Sequence, residues 1–125
     1  MKNLFLCNHC GNLAGKVIDK GPELVCCGDP MEKLEPKSAD KATEKHVPVI
    51  EQDGNIVKVT VGTTLHPMTE EHHIVFIILE TKEGFQRKPL DPTGEPCATF
   101  AIADGDEVVA AYEYCNIHGF WVGRP

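Results

Sequence analysis

Apolar and polar residues alternate in short runs from His46 to the end of the chain, which is the period of a half-buried β-strand. The first two runs flank Asp53-Gly54, a dipeptide typical of tight hairpin turns. Gly, Pro and Asp residues separate the later runs. The sequence therefore predicts about seven strands, over residues 47–52, 55–61, 73–81, 85–88, 97–101, 107–114 and 119–122.

These strands predict a mainly β fold. No segment between them has the period of an amphipathic helix, although residues 108–111 are also compatible with a buried helical turn. Short strands at this spacing favour an immunoglobulin-like antiparallel β-sandwich.

The first 36 residues have a different pattern, because large apolar residues are sparse and four of the six cysteines lie within the first 27 positions. Residues 16–19 and 23–25 predict a small hairpin around Gly21-Pro22. Residues 35–45 are polar and have the composition of a linker. We therefore predict two domains, a small metal module at residues 1–36 and the sandwich at residues 37–125. A module of that size needs a metal or disulfides in order to fold.

The formal net charge of −7 argues against a general nucleic-acid-binding protein, which needs a basic surface. The first residues contain no apolar run typical of a secretion signal, and no later run approaches the length of a membrane span. We therefore expect a cytoplasmic protein that does not act at a membrane. In a reducing cytoplasm, clustered cysteines are more often metal ligands than disulfides.

The cysteines of the first module have the spacing of one metal site. Cys7-Asn8-His9-Cys10 is a Cys-x-x-Cys turn, in which two thiolates can converge on a tetrahedral metal. Cys26 and Cys27 are adjacent, so the chain must bend sharply there for both side chains to face the same metal. Gly28 follows and permits such a bend. Four sulfur ligands suit zinc or iron, and the residue types alone do not choose between them.

Four histidines and one cysteine of the second domain lie close to turns or strand ends. His66 and His72 are six residues apart across a loop, and Cys115 and His118 form a Cys-x-x-His turn. With His46 at the end of the linker, four imidazoles and one thiolate could meet at one rim of the sandwich. A structural zinc site normally closes with four ligands. Five ligands around iron would instead leave a sixth position open for a small molecule.

Three further residues of the ligand types are predicted to lie outside these groups. His73 follows His72, and strand alternation directs adjacent side chains to opposite faces. Cys97 has no partner at ligand spacing and is expected to be a small buried apolar residue. His9 is expected to be a solvated turn residue.

These motifs closely resemble those of the desulfoferrodoxins, the two-iron superoxide reductases of anaerobic and microaerophilic microbes. The resemblance extends along the whole chain and rests on Cys7-x-x-Cys10, Cys26-Cys27, Glu44-Lys45-His46-Val47-Pro48, His66-Pro67-Met68 with His72, and Cys115-Asn116-Ile117-His118-Gly119.

The resemblance implies two iron ions per chain. The first would be held in a desulforedoxin-like (rubredoxin-like) module, and the second in an immunoglobulin-like domain. The ligands of the first iron would be Cys7, Cys10, Cys26 and Cys27. The ligands of the second iron would be His46, His66, His72 and His118 in the equatorial plane and Cys115 on the axis.

The resemblance also implies an activity, the one-electron reduction of superoxide to hydrogen peroxide, as a defence against oxidative stress. Lys45 would attract the anionic substrate, and Glu44 would occupy the sixth position of the oxidised iron and help to release peroxide. A rubredoxin or a similar small iron protein would donate the electron. The protein would be a homodimer, and its four-cysteine centre would have an accessory electron-transfer or structural role.

Two alternatives remain open from the residues alone. A zinc-binding module with two structural zinc sites would be colourless and redox-inactive. A rubredoxin-type electron carrier would account for the four-cysteine site but not for the five-ligand group. Without the resemblance, Glu44-Lys45 is an ordinary solvated charge pair.

Overall fold

A computed structural model describes residues 3–38, 43–63 and 65–125, with only the backbone described at residues 43 and 44. The chain divides into two compact units, Met1–Glu35 and Pro36–Pro125. The regular secondary structure of both units is almost entirely short antiparallel strands. No helix in the described part of the chain is long and apolar enough to span a membrane.

The first unit contains two very small sheets. Strand β1 (Leu4–Leu6) pairs with β2 (Leu13–Gly15) on one side and with β5 (Glu32–Lys33) on the other. The second sheet consists of β3 (Val25–Cys26) and β4 (Asp29–Pro30). The buried apolar residues of this unit are few, namely Leu4, Phe5 and Cys7.

The hairpin predicted over residues 16–19 and 23–25 is wrong. Residues 16–24 form no strand, and polar contacts hold this segment instead. Lys16 Nζ donates to Asp19 Oδ1 at 2.9 Å and to Pro22 O at 2.7 Å, and Gly21 N donates to Asp19 Oδ1 at 2.9 Å. Val17 is 99% exposed, and the segment over residues 16–24 pairs with no strand in the described part of the chain.

The second unit contains, in its described residues, a one-turn helix and seven strands in two antiparallel sheets. One sheet has the order β10-β7-β6 and the other has the order β12-β11-β8-β9. The elements are α1 (Thr43–His46), β6 (Pro48–Asp53), β7 (Ile56–Val61), β8 (Ile74–Thr81), β9 (Gly84–Pro89), β10 (Cys97–Ala101), β11 (Val108–Cys115) and β12 (Gly119–Gly123).

The mainly β prediction is confirmed, and every strand predicted for this unit is present with ends shifted by at most one residue. Residues 108–111 belong to a strand rather than to a helical turn, since Ala111 pairs with Leu79 and with Gly123. The predicted hairpin turn lies at Gly54, which has a φ of 60°. One cluster of buried residues from both sheets forms the core, including Val57, Val59, Val61, Ile77, Leu79, Phe100 and Ala111.

The predicted linker is partly integrated into the second unit. Lys37 forms a parallel bridge with Trp121 of β12, and Thr43–His46 is helical. The linker prediction is therefore wrong at both ends of this segment. Its middle, residues 39–42, lies outside the described residues.

Candidate metal centres

The four cysteines of the first unit converge because the chain turns sharply in two places. Cys7 and Cys10 flank the turn after β1, where Gly11 N donates to Cys7 O at 2.9 Å. Cys26 and Cys27 lie at the turn between β3 and β4, and Cys27 has a φ of 55°. A non-glycine residue rarely adopts this left-handed conformation. The bend expected from the adjacent cysteines is thus present.

The sulfur atoms of these cysteines have the spacing of a tetrahedral site. With metal–sulfur bonds of about 2.3 Å, a tetrahedron has edges of about 3.8 Å. Cys10 Sγ lies 3.6 Å from Cys26 Sγ, which in turn lies 3.9 Å from Cys27 Sγ. All four sulfurs lie within 4.8 Å of one another, and all six cysteines of the chain are free thiols.

Backbone groups around these sulfurs favour thiolates. Cys10 N lies 3.5 Å from Cys7 Sγ, and this contact, together with weaker ones from His9 N and the neighbouring thiols, lowers the pKa of the Cys7 thiol to about 6. Asn12 N donates to Cys10 Sγ at 3.4 Å. Hydrogen bonds from the neighbouring thiols raise the pKa of Cys27 to about 12. A bound cation would be needed to ionise Cys27 at neutral pH.

His9 lies in the same turn but outside the sulfur group. It is exposed as predicted, yet it is not simply solvated, because its Nε2 lies 2.5 Å from Asp29 Oδ2. This contact joins the Cys-x-x-Cys turn to β4.

The second group combines residues from four separate segments of the second unit. His46 ends α1, and Cys115 ends β11. His66 and His72 lie in the connection between β7 and β8, and His118 lies in the turn between β11 and β12. One ligand atom from each of the five lies within 4.8 Å of the others.

The four imidazoles form a closed cycle of edge-to-face contacts. His46 contacts His66 at 5.1 Å between ring centroids, and His66 contacts His72 at 4.6 Å. His72 contacts His118 at 5.0 Å, and His118 contacts His46 at 4.8 Å. The interplanar angles are 70–80°. Four nitrogen ligands arranged in such a cycle could surround one metal ion.

Two imidazoles of this cycle have buried Nε2 atoms that are available to a metal. His66 Nδ1 donates to Pro67 O at 2.7 Å, so its Nε2 is the atom with the lone pair. Burial lowers the pKa of His66 to about 4 and also lowers the pKa of His72. The Nε2 atoms of both residues are buried and find no hydrogen-bond partner among the described residues. Neutral imidazoles with orphaned acceptors are the form that binds a metal.

The open space borders the four histidines but does not reach the buried thiol. Cys115 is fully buried, and burial raises the pKa of its thiol. His118 N donates to Cys115 Sγ at 3.4 Å. A cavity of about 310 Å³ borders the histidines but not Cys115. The residues lining it are Lys37, Lys45, His46, His66, Pro67, His72, His118 and Trp121.

Two residues that the sequence did not single out hold the ligand segments together. Trp121 stacks on His46 at 4.7 Å between centroids, and its Nε1 donates to His118 O at 3.1 Å. Asn116 donates to Glu71 O at 2.9 Å and accepts from His73 N at 2.9 Å. Asn116 thereby ties the Cys115–His118 turn to the His66–His72 loop.

A buried acid near the thiol was also missed. Glu113 is fully buried on β11, two residues before Cys115, and burial raises the pKa of its carboxyl group to about 9. Its two carboxyl oxygens find no hydrogen-bond partner among the described residues. The alternation of the strand does not predict that Glu113 is buried, because a glutamate within an apolar strand is usually assigned to the solvent face.

The remaining predicted residues lie as follows. His73 is outside the group, with its Nδ1 3.0 Å from Thr69 O. Cys97 is only half-buried, against expectation, because it begins an edge strand and its Sγ faces Glu95 Oε2 at 3.6 Å. Lys45 is exposed and lines the cavity. The side chain of Glu44 lies outside the described residues.

Comparisons with known proteins match both units. The family model described as Desulfoferrodoxin matches residues 38–124, and the model described as Desulfoferrodoxin, N-terminal domain, matches residues 1–34. The desulfoferrodoxin of Nitratidesulfovibrio vulgaris is 47% identical over 118 residues, covering 94% of this chain and 92% of that protein. The superoxide reductase of Thermococcus kodakarensis is 42% identical over 103 residues, covering 68% of this chain and 89% of that protein.

The fold comparison leads to the same family. The crystal structure of the superoxide reductase from Treponema pallidum superposes with a TM-score of 0.83 at 39% identity, covering 99% of this chain and 98% of that one. The resemblance inferred from the motifs is confirmed, and the chain belongs to the desulfoferrodoxin family.

Proposed function

We propose that this protein is a superoxide reductase, which adds one electron and two protons to superoxide and releases hydrogen peroxide. The observation that carries the proposal is the arrangement of the second group, in which four imidazoles line a cavity that the buried Cys115 does not reach. A tetrahedral structural site has no such open side. The relatives from Thermococcus kodakarensis and Treponema pallidum, both named superoxide reductases, support the same activity.

The chain binds two iron ions, one in each of the modules at residues 1–36 and 37–125. We assign Cys7, Cys10, Cys26 and Cys27 to the first iron, and His46, His66, His72, His118 and Cys115 to the second. The orphaned Nε2 atoms of His66 and His72 and the tetrahedral spacing of the sulfurs fit this assignment. When bound, the second iron supplies the electron and an open position for a small anion.

The chain contributes charge and orientation around the second group. The negative Cys115 thiolate favours electron release, and the N–H of His118 moderates its charge through the 3.4 Å hydrogen bond. Lys45 attracts superoxide into the cavity, and Glu44, its neighbour in the sequence, would help to release peroxide. Solvent entering the cavity supplies the protons. A Lys45→Ala variant with an unchanged capture rate at low salt in pulse radiolysis would refute the role of Lys45.

The first centre and the partners are further parts of this proposal. The four-cysteine iron acts as an accessory electron-transfer or structural centre, and a rubredoxin or similar protein supplies electrons. The free thiols suit a reducing, cytoplasmic compartment. A homodimer would cover Val17, Ile18 and Val25, which are 99%, 72% and 64% exposed on the first unit. Sedimentation equilibrium checks the dimer.

We also infer that the second unit is immunoglobulin-like. Its first, second and fifth strands form one sheet, and its third, fourth, sixth and seventh strands form the other. This partition differs from that of a seven-stranded immunoglobulin sandwich only in the fourth strand, β9, which lies at the edge of the other sheet. The two longest strands of the unit, β8 and β11, are paired at the centre of the four-stranded sheet.

The decisive test is the yield of peroxide per superoxide consumed. Protein purified under mild conditions is first assayed for metal content and visible absorption, then reduced and mixed with superoxide generated by pulse radiolysis. A reductase forms one peroxide for each superoxide and no dioxygen, whereas dismutation forms half as much peroxide and releases dioxygen. About two irons per chain with one peroxide per superoxide is the expected result.

Other outcomes would contradict the proposal in distinct ways. Two zinc ions and no colour, in protein expressed with ample iron, would leave a structural zinc-binding module. Two irons without any reaction with superoxide would leave an electron carrier. The five-ligand group argues against both, because neither role needs four imidazoles facing a cavity.

A further inference from the structure

A second lysine, Lys37, is fixed at the wall of the histidine cavity. Its backbone N donates to Phe120 O at 2.9 Å, and its carbonyl accepts from Val122 N at 2.9 Å. Lys37 thus pairs with the edge of β12, although it belongs to the segment predicted as a linker. Because both its N–H and its carbonyl group are hydrogen-bonded to β12, the backbone position from which the Lys37 side chain extends is fixed.

The side chain of Lys37 lies next to His118, one of the five ligand residues, and next to Trp121, which stacks on His46. Lys37 Nζ donates to His118 O at 3.2 Å and lies 5.0 Å from the centroid of the Trp121 ring. These contacts use only part of its hydrogen-bonding capacity, because an ammonium group has three N–H donors. Lys37 is exposed and forms no ion pair with any described residue, in contrast to Lys16 and Lys82.

The charge around the cavity differs from the charge of the whole chain. The net charge of −7 repels an anion at long range. The described residues lining the cavity include Lys37 and Lys45 but no carboxylate. Close cations within a partly enclosed site act more strongly on an entering anion than distant exposed charges, which salt screens over about 8–10 Å.

We propose that Lys37 is a second anion-attracting residue of this cavity, which acts together with Lys45 to bring superoxide to the histidine centre. The proposal rests on the function proposed above. Lys45 approaches from the side of His46, at the end of α1, whereas Lys37 approaches from the side of His118, in the turn before β12. The entering anion is therefore attracted from two sides.

The first test compares superoxide capture rates by pulse radiolysis in the two-iron protein. Lys37→Met removes the charge but keeps an apolar stem against Trp121, and Lys37→Arg keeps the charge. Lys58→Met is the matched control, since Lys58 is exposed on β7 and does not line the cavity. We expect Lys37→Met to be about two- to fivefold slower at low ionic strength, with a flatter salt dependence. Lys37→Arg and Lys58→Met should stay close to the wild-type rate.

The second test measures binding instead of turnover. Azide, a small anion, is titrated against the oxidised protein by visible absorption, and nitric oxide, a neutral diatomic, is titrated against the reduced protein. If Lys37 acts by its charge, Lys37→Met raises the Kd for azide about two- to fivefold and leaves the Kd for nitric oxide unchanged. If Lys37 only supports the His118 turn, both Kd values change and the loss persists at high salt, which would overturn the proposal.

The outcomes also separate this inference from the proposed function. A wild-type protein with two irons that does not reduce superoxide overturns the function itself, while azide binding still tests Lys37. A wild-type protein that reduces superoxide, with Lys37→Met unchanged in both rate and azide affinity, overturns only the role of Lys37.

Discussion

The adjacent histidines His72 and His73 have different environments, and only His72 belongs to the five-ligand group. His72 Nε2 is buried and finds no hydrogen-bond partner among the described residues, whereas His73 Nδ1 lies 3.0 Å from Thr69 O. The backbone N–H of His73 donates to Asn116 Oδ1 at 2.9 Å. This hydrogen bond fixes the orientation of the backbone that carries the two histidines. Position in the loop before β8, and not residue type, therefore decides which imidazole can bind a metal.

Replacing each histidine of this pair with glutamine tests that distinction. His72→Gln should lower the iron affinity of the second centre at least about tenfold, because glutamine has no imidazole nitrogen to complete the cycle. The absorption of the four-cysteine centre should remain. His73→Gln, the matched control, should keep both centres, since an amide can still donate to Thr69 O. Iron per chain and visible spectra measure the result, and equal losses in the two variants would contradict the assignment.

Motif spacing was sufficient to predict the nine residues that the structure gathers into two groups, because ligand residues at turns carry a local signal. Trp121 and Lys37 could not be predicted in the same way. Trp121 lies in an ordinary apolar strand pattern, and Lys37 lies in a polar segment that reads as a linker. Their roles depend on contacts with His46 and His118, which are distant in the sequence.

Strand β12 and the start of β6 approach each other closely beside the five-ligand group. A Cβ atom at Gly123 of β12 would lie 2.1 Å from Pro48 O, so only glycine fits there. Pro48 follows the ligand His46 by two residues, and His46 stacks on Trp121 of the same strand β12. The close backbone contact therefore also positions a ligand.

Substituting Gly123 with alanine tests this contact. Gly123→Ala should lower the free energy of unfolding by about 1–3 kcal/mol through overpacking, and should shift the absorption of the second centre because Pro48 and His46 must move. Gly54→Ala is the control, since its Cβ meets nothing within 4 Å and only its φ of 60° is unfavourable. It should cost about 1 kcal/mol and leave the spectrum unchanged. Denaturant titration and absorption of the iron-loaded proteins distinguish the two outcomes.

At the scale of elements, the sequence predicted strands well where one face is buried. Val57, Val59 and Val61 alternate with less buried residues along β7, and this period places β7 within a residue of its observed ends. The segment over residues 16–24 was mispredicted because its β-branched residues, Val17 and Ile18, are exposed and have no partner strand. Its conformation depends on the hydrogen bonds of Lys16 with Asp19 and Pro22. The spacing of apolar residues along the sequence does not predict such contacts.

The two units of the whole molecule differ in how they are stabilised. The second unit has a continuous core shared by two sheets, whereas the first unit buries only Leu4, Phe5 and Cys7 among its apolar residues. Strands of two or three residues do not persist without further support. The metal bound by the four cysteines should therefore provide most of the stability of the first unit and little of the stability of the second.

This asymmetry predicts that the first centre can be removed without losing the second. Cys10→Ser should abolish the visible absorption of the four-cysteine centre and the hydrogen-exchange protection of residues 3–34, since loss of a ligand removes folding free energy along with the metal. Superoxide reduction and the protection of the core strands β8 and β11 should persist. Cys97→Ser, a cysteine outside both groups, should leave every signal unchanged. If Cys10→Ser also abolished superoxide reduction while β8 and β11 stayed protected, the first centre would be a required part of the electron path instead of an accessory to it.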